Sequence, residues 1–439
     1  MMQGGCNHVA GTCMNIALRL LLGLLLALGA GCASVPTHER AAPVAPPTTT
    51  PLLLVSIDGY RHDYLKRGLS PTLSMLARGG VQAASMQPAF PSLTFPNHYT
   101  IVTGLTPDHH GIVNNTMFDP QLGKFSLANR QAVSDGRWWA GGIPIWETAD
   151  QHGLRTATMF WPGSEADIRG RHPDYWKPFD AAFSADQRVD QVLAWLDLPA
   201  AQRPTFITLY FDAVDHAGHQ FGPDTPQLDA ALRATDAALA RLVAGLRERH
   251  LFERINLIAL SDHSMATAPE QNSVLIDQMV PLDRVQTVSM GILAGFNPRA
   301  ADAAAQADFA SVEQTLEQPH PHMRCWDKRR VPARLGYGSN PRIPQLLCLA
   351  NTGWRISTSD YLARRGGRLS RGEHGYDNAD PLMQALFIAH GPAFRVGAQM
   401  GAFPNVDVYP LMTHLLGLPA AANDGDYDAV KGMLKPVAR

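Results

Sequence analysis

Three aspartates, three histidines and one threonine of this chain occur in short motifs, most of which follow strand-like apolar runs. These seven residues are Asp58, Thr94, Asp215, His219, Asp262, His263 and His374. Loops at the carboxyl edge of an α/β sheet bring together residues that are distant in sequence, so we expect the seven to share one site. Carboxylates and imidazoles beside a hydroxyl are the groups of a two-metal hydrolase with an alkoxide nucleophile. The pattern predicts a metal-dependent enzyme.

Two of the motifs also have ordinary structural interpretations. Asp58 precedes Gly59 after an apolar run, and such a pair is equally typical of a turn. Thr94 precedes Phe95 and Pro96 at the start of a predicted helix, where a hydroxyl lies at the positive end of the helix dipole. An N-cap role is the commoner one for such a threonine. The functional interpretation of both motifs therefore depends on the others.

The other motifs add acids and imidazoles at similar places in the chain. Asp215 and His219, with glycine between and after them, predict a tight loop that converges on one cation. Asp212 and His216 in the same motif are alternative ligands. The further candidates are an adjacent acid–imidazole pair and a histidine between glycines, Asp262-His263 and His374. Buried acids are rare without partners, so this many motifs together are hard to attribute to packing.

Alternating strand and helix patterns must position these motifs. Apolar runs predict strands over residues 51–57, 156–160, 205–211, 255–260 and 385–389. Helical patterns occupy residues 70–78, 95–103, 145–152, 225–249 and 407–416. This alternation predicts an α/β fold with a mostly parallel central sheet flanked by helices. We expect one catalytic domain over residues 51–437, with a cap inserted at about 265–369 between two of the candidate ligands.

Composition limits the classes of partner. The chain has 439 residues, of which 45% are hydrophobic, and a formal net charge of -2. It therefore has enough apolar residues for a large core and no global field that favours nucleic acid or anionic membranes. We expect no nucleic-acid groove and a small-molecule substrate. The oligomeric state is left open.

The first 50 residues have the composition of an export leader and a tether. A basic residue, a short apolar run and small residues predict a signal peptide over residues 1–31, with Met14 as an alternative start. Cys32 follows small residues, so lipid attachment there, giving a membrane tether, and plain cleavage near Ala33 are equal alternatives. Residues 32–50, rich in Pro, Ala and Thr, predict an extended tether. We therefore expect export to the periplasm, with lipid anchoring to the outer membrane as one alternative.

Two cysteines lie beyond this leader. Exported proteins seldom leave thiols free, so we expect Cys325 and Cys348 to form a disulfide rather than to remain two separate buried thiols. Neither cysteine lies among the metal-type residues, which predicts a structural role.

The motifs as a set resemble the nucleotide pyrophosphatase/phosphodiesterases of the alkaline phosphatase superfamily. The matching segments are 57–59, 90–91, 94–98, 103–115, 161–165, 215–223, 262–263 and 374–378. The resemblance extends from residue 52 to about residue 435. It implies an alkaline phosphatase-like core and hydrolysis of phosphodiester or pyrophosphate bonds.

The resemblance also implies roles for individual residues. One zinc ion would be bound by Asp215, His219 and His374, and a second by Asp58, Asp262, His263 and the oxygen of Thr94. Thr94 would attack phosphorus and form a phosphothreonyl intermediate, while Asn115 would stabilise charge on the phosphate oxygens. Phe95 and Phe179 would stack on a nucleotide base, with core packing as the alternative for both. Aspartate and histidine also suit manganese or iron, so zinc depends on the resemblance.

The residues after Thr94 favour a diester substrate. Phe95, Pro96 and Asn97 follow it, without the arginine that monoesterases of this superfamily place after their nucleophile. We therefore expect hydrolysis of nucleotides to nucleoside 5'-monophosphates. A phosphocholine-type phospholipid diester and a phosphomonoester are the alternative substrates. A non-catalytic protein on the same fold is a third hypothesis, which the presence of all seven ligands opposes.

Overall fold

Parallel strands form the centre of the fold in the computed structural model, which describes residues 49–366 and 368–436. Within those residues an eight-stranded sheet contains β1 (Leu52–Ile57), β2 (Val81–Ala83), β3 (Thr156–Met159), β4 (Tyr175–Lys177), β5 (Phe206–Phe211), β6 (Asn256–Leu260), β7 (Phe387–His390) and β8 (Ala398–Met400). Their order across the sheet is β8-β2-β7-β6-β1-β5-β3-β4. All neighbours are parallel except the two pairs that include β7. The predicted α/β class with a mostly parallel sheet is confirmed.

The central strand is apolar except for Ser56 because both of its faces are covered. Leu52 and Leu54 belong to one hydrophobic core, whereas Leu53 and Val55 belong to a second core on the other face. A strand that is buried on both sides shows no alternation of polar and apolar residues. This explains why β1 begins with four apolar residues in a row.

Helices of very different length surround the sheet. They are Pro71–Gly79, α1 (Thr94–Thr103), Pro107–His110, Arg130–Val133, Gly136–Trp139, Ile145–Gln151, α2 (Ala185–Leu196), α3 (Ala213–Phe221), Pro226–Glu248, Ala303–Leu316, Ser359–Arg364, Val408–Leu416 and Tyr427–Val430. Local sequence sets several of their ends. Ser184 and Gln187 form a capping box at the start of α2, and Gly104 ends α1 in the left-handed conformation with φ of 68°.

The five predicted strands and five predicted helices are all present, with ends shifted by up to two residues. The exception in direction is the strand predicted at 385–389, which becomes β7 and pairs antiparallel with β6 and β2. A strand buried on both faces has the same apolar pattern in either direction, so its sequence did not indicate this.

The segment predicted as a cap contains a second sheet. Its four antiparallel strands are Val285–Ser289, Leu293–Pro298, Met323–Asp327 and Leu346–Ala350. Cys325 and Cys348 are paired in register on two of these strands and form the predicted disulfide. Small two-stranded pairings complete the fold: Met86–Gln87 with Phe403–Pro404, Thr116–Asp119 with Gly123–Ser126, Ala266–Thr267 with Gly372–Glu373, and Ser273–Leu275 with Arg355–Ser357.

The predicted signal peptide, 1–31, and nearly all of the predicted tether, 32–50, lie outside the described residues. Among the helices that the structure does describe, none combines the length and the apolar character that a bilayer crossing requires.

Candidate active site

Asp58 leaves the carboxyl end of β1 through a turn that only glycine suits. Gly59 has φ of 71°, and a β-carbon at this position would lie 3.0 Å from Cα of Asp215. The backbone after β1 therefore lies in direct contact with helix α3. This contact places Asp58 and Asp215 side by side although they are far apart in the sequence.

Thr94 is the first residue of helix α1, and it is not the N-cap. The N-cap is Leu93, and no side chain caps this end of the helix. The Thr94 hydroxyl oxygen lies 3.1 Å from Nε2 of His263 instead. The capping interpretation of Thr94 is therefore wrong, and its hydroxyl faces the cluster of acids and imidazoles.

Asp215 and His219 lie on helix α3, so the predicted tight loop is wrong. Their spacing of four residues is about one helical turn, which puts both on one face. The glycine that suggested a loop, Gly218, serves close packing, because a β-carbon there would lie 2.9 Å from the Met265 side chain. Asp212 and His216 also line the cavity beside this face.

The seven predicted residues come together as two adjoining clusters. In the first, His374 Nε2 lies 3.1 Å from His219 Nε2 and 3.6 Å from Asp215 Oδ1. In the second, His263 Nε2 lies 3.0 Å from Asp262 Oδ2 and 3.5 Å from Asp58 Oδ1. The clusters adjoin because the rings of His263 and His374 stack with centroids 3.7 Å apart.

The hydrogen bonds around these side chains suit a cation. His219, His263 and His374 each place Nδ1 within 2.8 to 3.1 Å of a backbone carbonyl oxygen, which fixes Nδ1 as the donor and leaves Nε2 as an acceptor. Those Nε2 atoms face carboxylate oxygens, which are acceptors too. Buried oxygens with no hydrogen-bond partner among the described residues include Asp58 Oδ1, Asp215 Oδ1 and Asp262 Oδ2. These carboxylate oxygens and Nε2 atoms are acceptors that face one another with no donor between them, and a metal ion would satisfy them. The residues therefore fit metal ions.

The charges in the two clusters also favour a bound cation. Burial, and then the charges of Asp262 and Asp215, raise the pKa of Asp58 well above its usual value. Burial alone would also raise the pKa of Asp262, but positive charge on the rings of His263 and His98 holds it well below the usual range, and a bound cation would supply that charge when the rings are neutral. Three carboxylates in a buried space repel one another unless cations lie between them.

Two polar residues that the sequence did not single out support the second cluster. The hydroxyl of Tyr210 donates to Asp58 Oδ2 at 2.6 Å. His98 lies 3.3 Å from Asp262 Oδ2, and its ring also contacts the hydroxyl of Ser56 at 2.8 Å. Tyr210 pairs in register with Ser56 on the neighbouring strand, two residues before Asp58. Of these features, only the strand pairing indicates that Tyr210 lies beside Asp58.

A cavity of about 360 Å³ opens beside the clusters. Its apolar wall includes Phe95, Leu127, Phe160, Trp161 and Phe179, and its polar wall includes Asn115, Arg130, Glu165 and Lys177. None of the described residues between 265 and 369 lines this cavity. Apart from Phe95, the wall residues named above belong to residues 115–130 and 160–179.

The two predicted aromatic residues differ in their surroundings. Phe95 packs against the rings of Phe125 and Trp139 at centroid distances of 6.0 and 5.8 Å, so it is partly a core residue. Phe179 is 38% exposed, and its ring meets that of Phe160 edge-on at 5.2 Å. Phe179 is therefore not a core residue, and it lines the cavity.

Asn115 has a fixed orientation. Its Oδ1 accepts a hydrogen bond from the backbone N–H of Phe95 at 3.0 Å. The amide NH₂ group is therefore the part of this side chain that can donate to a ligand in the cavity that Asn115 lines.

Comparisons with known proteins identify the family of this chain. The family model for type I phosphodiesterase/nucleotide pyrophosphatase matches residues 52–377. An uncharacterized pyrophosphatase/phosphodiesterase of Schizosaccharomyces pombe is 37% identical over 86% of this chain and 79% of its own length. A venom phosphodiesterase of Naja atra is 37% identical over 88% of this chain, which spans only 46% of that relative.

Solved structures give the same result. The murine ectonucleotide pyrophosphatase/phosphodiesterase 5, an inactive variant in complex with AMP, superposes with a TM-score of 0.82 at 31% identity. The alignment covers 88% of this chain and 100% of that one. The human protein of the same name gives a TM-score of 0.82 at 32% identity. The chain therefore belongs to the type I phosphodiesterase/nucleotide pyrophosphatase family, as its motifs predicted.

Proposed function

We propose that this protein hydrolyses phosphodiester or pyrophosphate bonds of nucleotides and releases nucleoside 5'-monophosphates. The observation that carries the proposal is the position of the exposed Phe179 face in the same cavity as the Thr94 hydroxyl and both ligand clusters. A flat aromatic face beside a phosphate site suits a nucleoside base. The AMP that is bound in the murine relative supports this assignment.

Two metal ions, which we propose to be zinc, would be held by the two clusters. Asp215, His219 and His374 would hold one, and Asp58, Asp262, His263 and Thr94 the other. When bound, the ions would supply Lewis acidity that favours the ionised Thr94 hydroxyl and neutralises charge on the substrate phosphate. The orphaned carboxylate oxygens and the Nε2 atoms described above support this assignment.

Thr94 would act as the nucleophile. Its oxygen would form a bond to phosphorus, and the bond to the leaving group on the opposite side would break, which gives a phosphothreonyl ester. Water would then add to phosphorus, and the threonine oxygen would depart with the release of the nucleoside monophosphate. The exposure of the hydroxyl to the cavity and its place at the start of α1 support this role.

Asn115 would stabilise the charge that develops on the phosphate oxygens. Its carbonyl oxygen is occupied by the Phe95 N–H, so its NH₂ group is available as a donor. The N-terminus of α1 has no side-chain cap and contributes favourable partial charge at the same place. These donors need no reorientation when the substrate binds.

The cations of the cavity oppose the phosphocholine alternative. Arg130 and Lys177 both line it, while the acids that could attract a quaternary ammonium group are engaged. Glu165 pairs with Arg130, and Asp212 pairs with Arg188 at 2.8 Å. A choline headgroup would therefore meet the ammonium group of Lys177 while these two acids are paired, whereas that ammonium group would attract the phosphate of a nucleotide.

We also propose that the protein is exported. The predicted signal peptide and the Cys325–Cys348 disulfide support this, because such bonds persist in oxidising compartments. Lipid attachment at Cys32 and location in the periplasm belong to the same proposal. Mass analysis of the N-terminal peptide of the mature protein tests it, since an unmodified, unprocessed N-terminus would refute it.

Three nitrophenyl esters test the function. They are the thymidine 5'-monophosphate ester, the phosphocholine ester and the simple phosphate monoester, supplied at equal concentration to the zinc-loaded protein with a chelated control. We expect the thymidine ester to be hydrolysed fastest, in a reaction that the chelator abolishes. Preference for the phosphocholine ester would assign the substrate to lipids. Preference for the monoester would refute the inference from the missing arginine.

A further inference from the structure

A buried arginine lies behind the aromatic wall of the cavity. Arg188, on helix α2, is 4% exposed and is not one of the residues that line the cavity. Its Nε donates to the carbonyl oxygen of Phe183 at 2.9 Å. Its Nη1 donates to the carbonyl oxygen of Tyr210 at 3.0 Å and to Asp212 Oδ1 at 2.8 Å. The guanidinium group is thus fixed from three directions.

The same guanidinium group contacts two aromatic rings of the wall. Its central carbon lies 5.0 Å from the ring centroid of Phe160 and 5.9 Å from that of Phe179. Both distances are within the range of cation–π attraction, which is stronger where water is excluded. Because Phe160 and Phe179 also meet each other edge-on, the arginine and the two rings form one packed unit.

The backbone of Phe160 shows that this unit holds a strained conformation. Phe160 directly follows β3 and has φ of 56°, in the left-handed region that non-glycine residues avoid. Such a residue persists only where its surroundings over-determine it, and such sites cluster around ligands. The Arg188 guanidinium and the ring of Phe183, at a centroid distance of 6.0 Å, are the neighbours that hold the Phe160 ring.

We propose that Arg188 is a positioning residue for nucleotide binding, which acts by holding Phe160 and Phe179 so that the ring of Phe179 meets the base. This inference rests on the proposed function. It predicts that loss of the guanidinium fork weakens binding of the nucleoside part and leaves the chemistry at phosphorus unchanged. Arg188 is buried and does not line the cavity, so we infer that it acts through Phe160 and Phe179 without contact to substrate.

Steady-state kinetics of Arg188→Gln and Arg188→Lys test this role with two substrates. For the thymidine 5'-monophosphate nitrophenyl ester we expect KM of Arg188→Gln to rise about five- to tenfold, with kcat unchanged. For bis-nitrophenyl phosphate, which has no base but meets the unpaired charge of Asp212, we expect kcat to stay at the wild-type value and KM to rise by no more than about twofold. The Kd of AMP, measured by calorimetry, should rise by the same factor as KM. Arg188→Lys keeps the charge without the planar fork and should give an intermediate KM.

Arg61→Gln is the matched control. Arg61 is also buried, lies 4.7 Å from the ring centroid of Tyr64 and pairs with Asp63 at 2.6 Å, and none of these three residues lines the cavity. The Arg61→Gln variant should lower the melting temperature as much as Arg188→Gln does. Its KM for the thymidine ester should stay at the wild-type value.

A double-mutant cycle with Phe179→Ala decides whether Arg188 acts through the wall. If it does, Arg188→Gln should add no further increase in KM once Phe179 is alanine. An equal effect of Arg188→Gln in both backgrounds, or on both substrates, would overturn the proposal. The proposed function is tested separately, by the rates at which the wild-type protein hydrolyses the thymidine and phosphocholine esters. A preference for the phosphocholine ester would overturn both the proposed function and the role of Arg188.

Discussion

Removing one hydroxyl, by Tyr210→Phe, tests how the second ligand cluster is held. Tyr210 donates to Asp58 Oδ2 at 2.6 Å, and both side chains are buried. A hydrogen bond to a charged group contributes about 1.5 to 3 kcal/mol, which is about one to two pKa units. The phenol opposes the increase that burial and neighbouring acids cause in the pKa of Asp58. Without it, that pKa should rise further.

The consequence is a weaker metal site with a defined pH dependence. A carboxylate must be ionised to bind a cation, so a higher pKa extends proton competition to higher pH. We expect one of two zinc-binding steps to weaken about 10- to 100-fold, with a larger loss at acidic than at neutral pH. The other step, which we assign to Asp215, His219 and His374, should be unchanged. Calorimetric titration of zinc into the metal-free protein at several pH values measures both steps.

Tyr337→Phe is the control for loss of a buried hydroxyl. Tyr337 donates to the carbonyl oxygen of Val113 at 2.9 Å, away from both clusters. Tyr337→Phe should lose about 0.5 to 1.5 kcal/mol of stability and Tyr210→Phe up to about 3 kcal/mol, but only Tyr210→Phe should change zinc binding. Wild-type zinc affinity of Tyr210→Phe across the pH range would show that Asp58 is not a ligand or does not depend on the phenol.

Three further predictions concern catalysis and stability. Thr94→Ala should lower kcat about 10⁴-fold or more while zinc content stays at the wild-type value; substantial turnover would remove Thr94 as the nucleophile. Asn115→Ala should lower kcat about 10²- to 10³-fold on both the thymidine ester and bis-nitrophenyl phosphate, because Asn115 acts on the phosphate group that both substrates contain. A loss of kcat confined to the thymidine ester would contradict that role. Burial raises the pKa of Asp407 to about 6, while one of its oxygens accepts from the Asp426 N–H at 2.7 Å. Asp407 therefore loses its proton near pH 4 in the unfolded chain but only near pH 6 in the folded protein. Because the folded protein binds the proton more tightly, its stability falls as pH rises from about 4 to 6. Asp407→Asn should therefore be more stable than wild type by about 1 to 2 kcal/mol at about pH 8 and equal to it near pH 4, as urea unfolding would measure; equal stability at both pH values would contradict it.

The proximity of the seven candidate residues was predictable because their side-chain types suit metal binding and most of them lie next to recognisable strands. Asp58 and Asp262 each follow an apolar run, and parallel strands end at one edge. The local conformation was less predictable. Gly218 suggested a loop between Asp215 and His219, whereas its lack of a side chain serves the contact between helix α3 and Met265.

The walls of the cavity could not be predicted as a unit. Phe160, Arg130 and Lys177 belong to irregular segments or short elements whose position depends on contacts with the large sheet. Nothing in the residue types around Arg188 distinguishes it from a surface arginine of an amphipathic helix. Tyr210 was missed for a related reason, because an aromatic residue within a buried strand usually contributes to packing. The inserted segment was predicted from the two candidate ligands that flank it, but its four-stranded sheet and its packing on one hydrophobic core were not predictable from its short apolar runs.

The contact between Gly59 and Asp215 has a consequence for how such proteins can lose activity. Backbone at Gly59, rather than any ligand side chain, sets how close β1 comes to helix α3. A larger residue there would push the two strand-end motifs apart while every aspartate and histidine remained in the sequence. A descendant with this change would keep all seven candidate ligands in its sequence, yet the distance between Asp58 and Asp215 would differ. A comparison of sequences that counts only the candidate ligands would miss this difference, whereas loss of the glycine would reveal it.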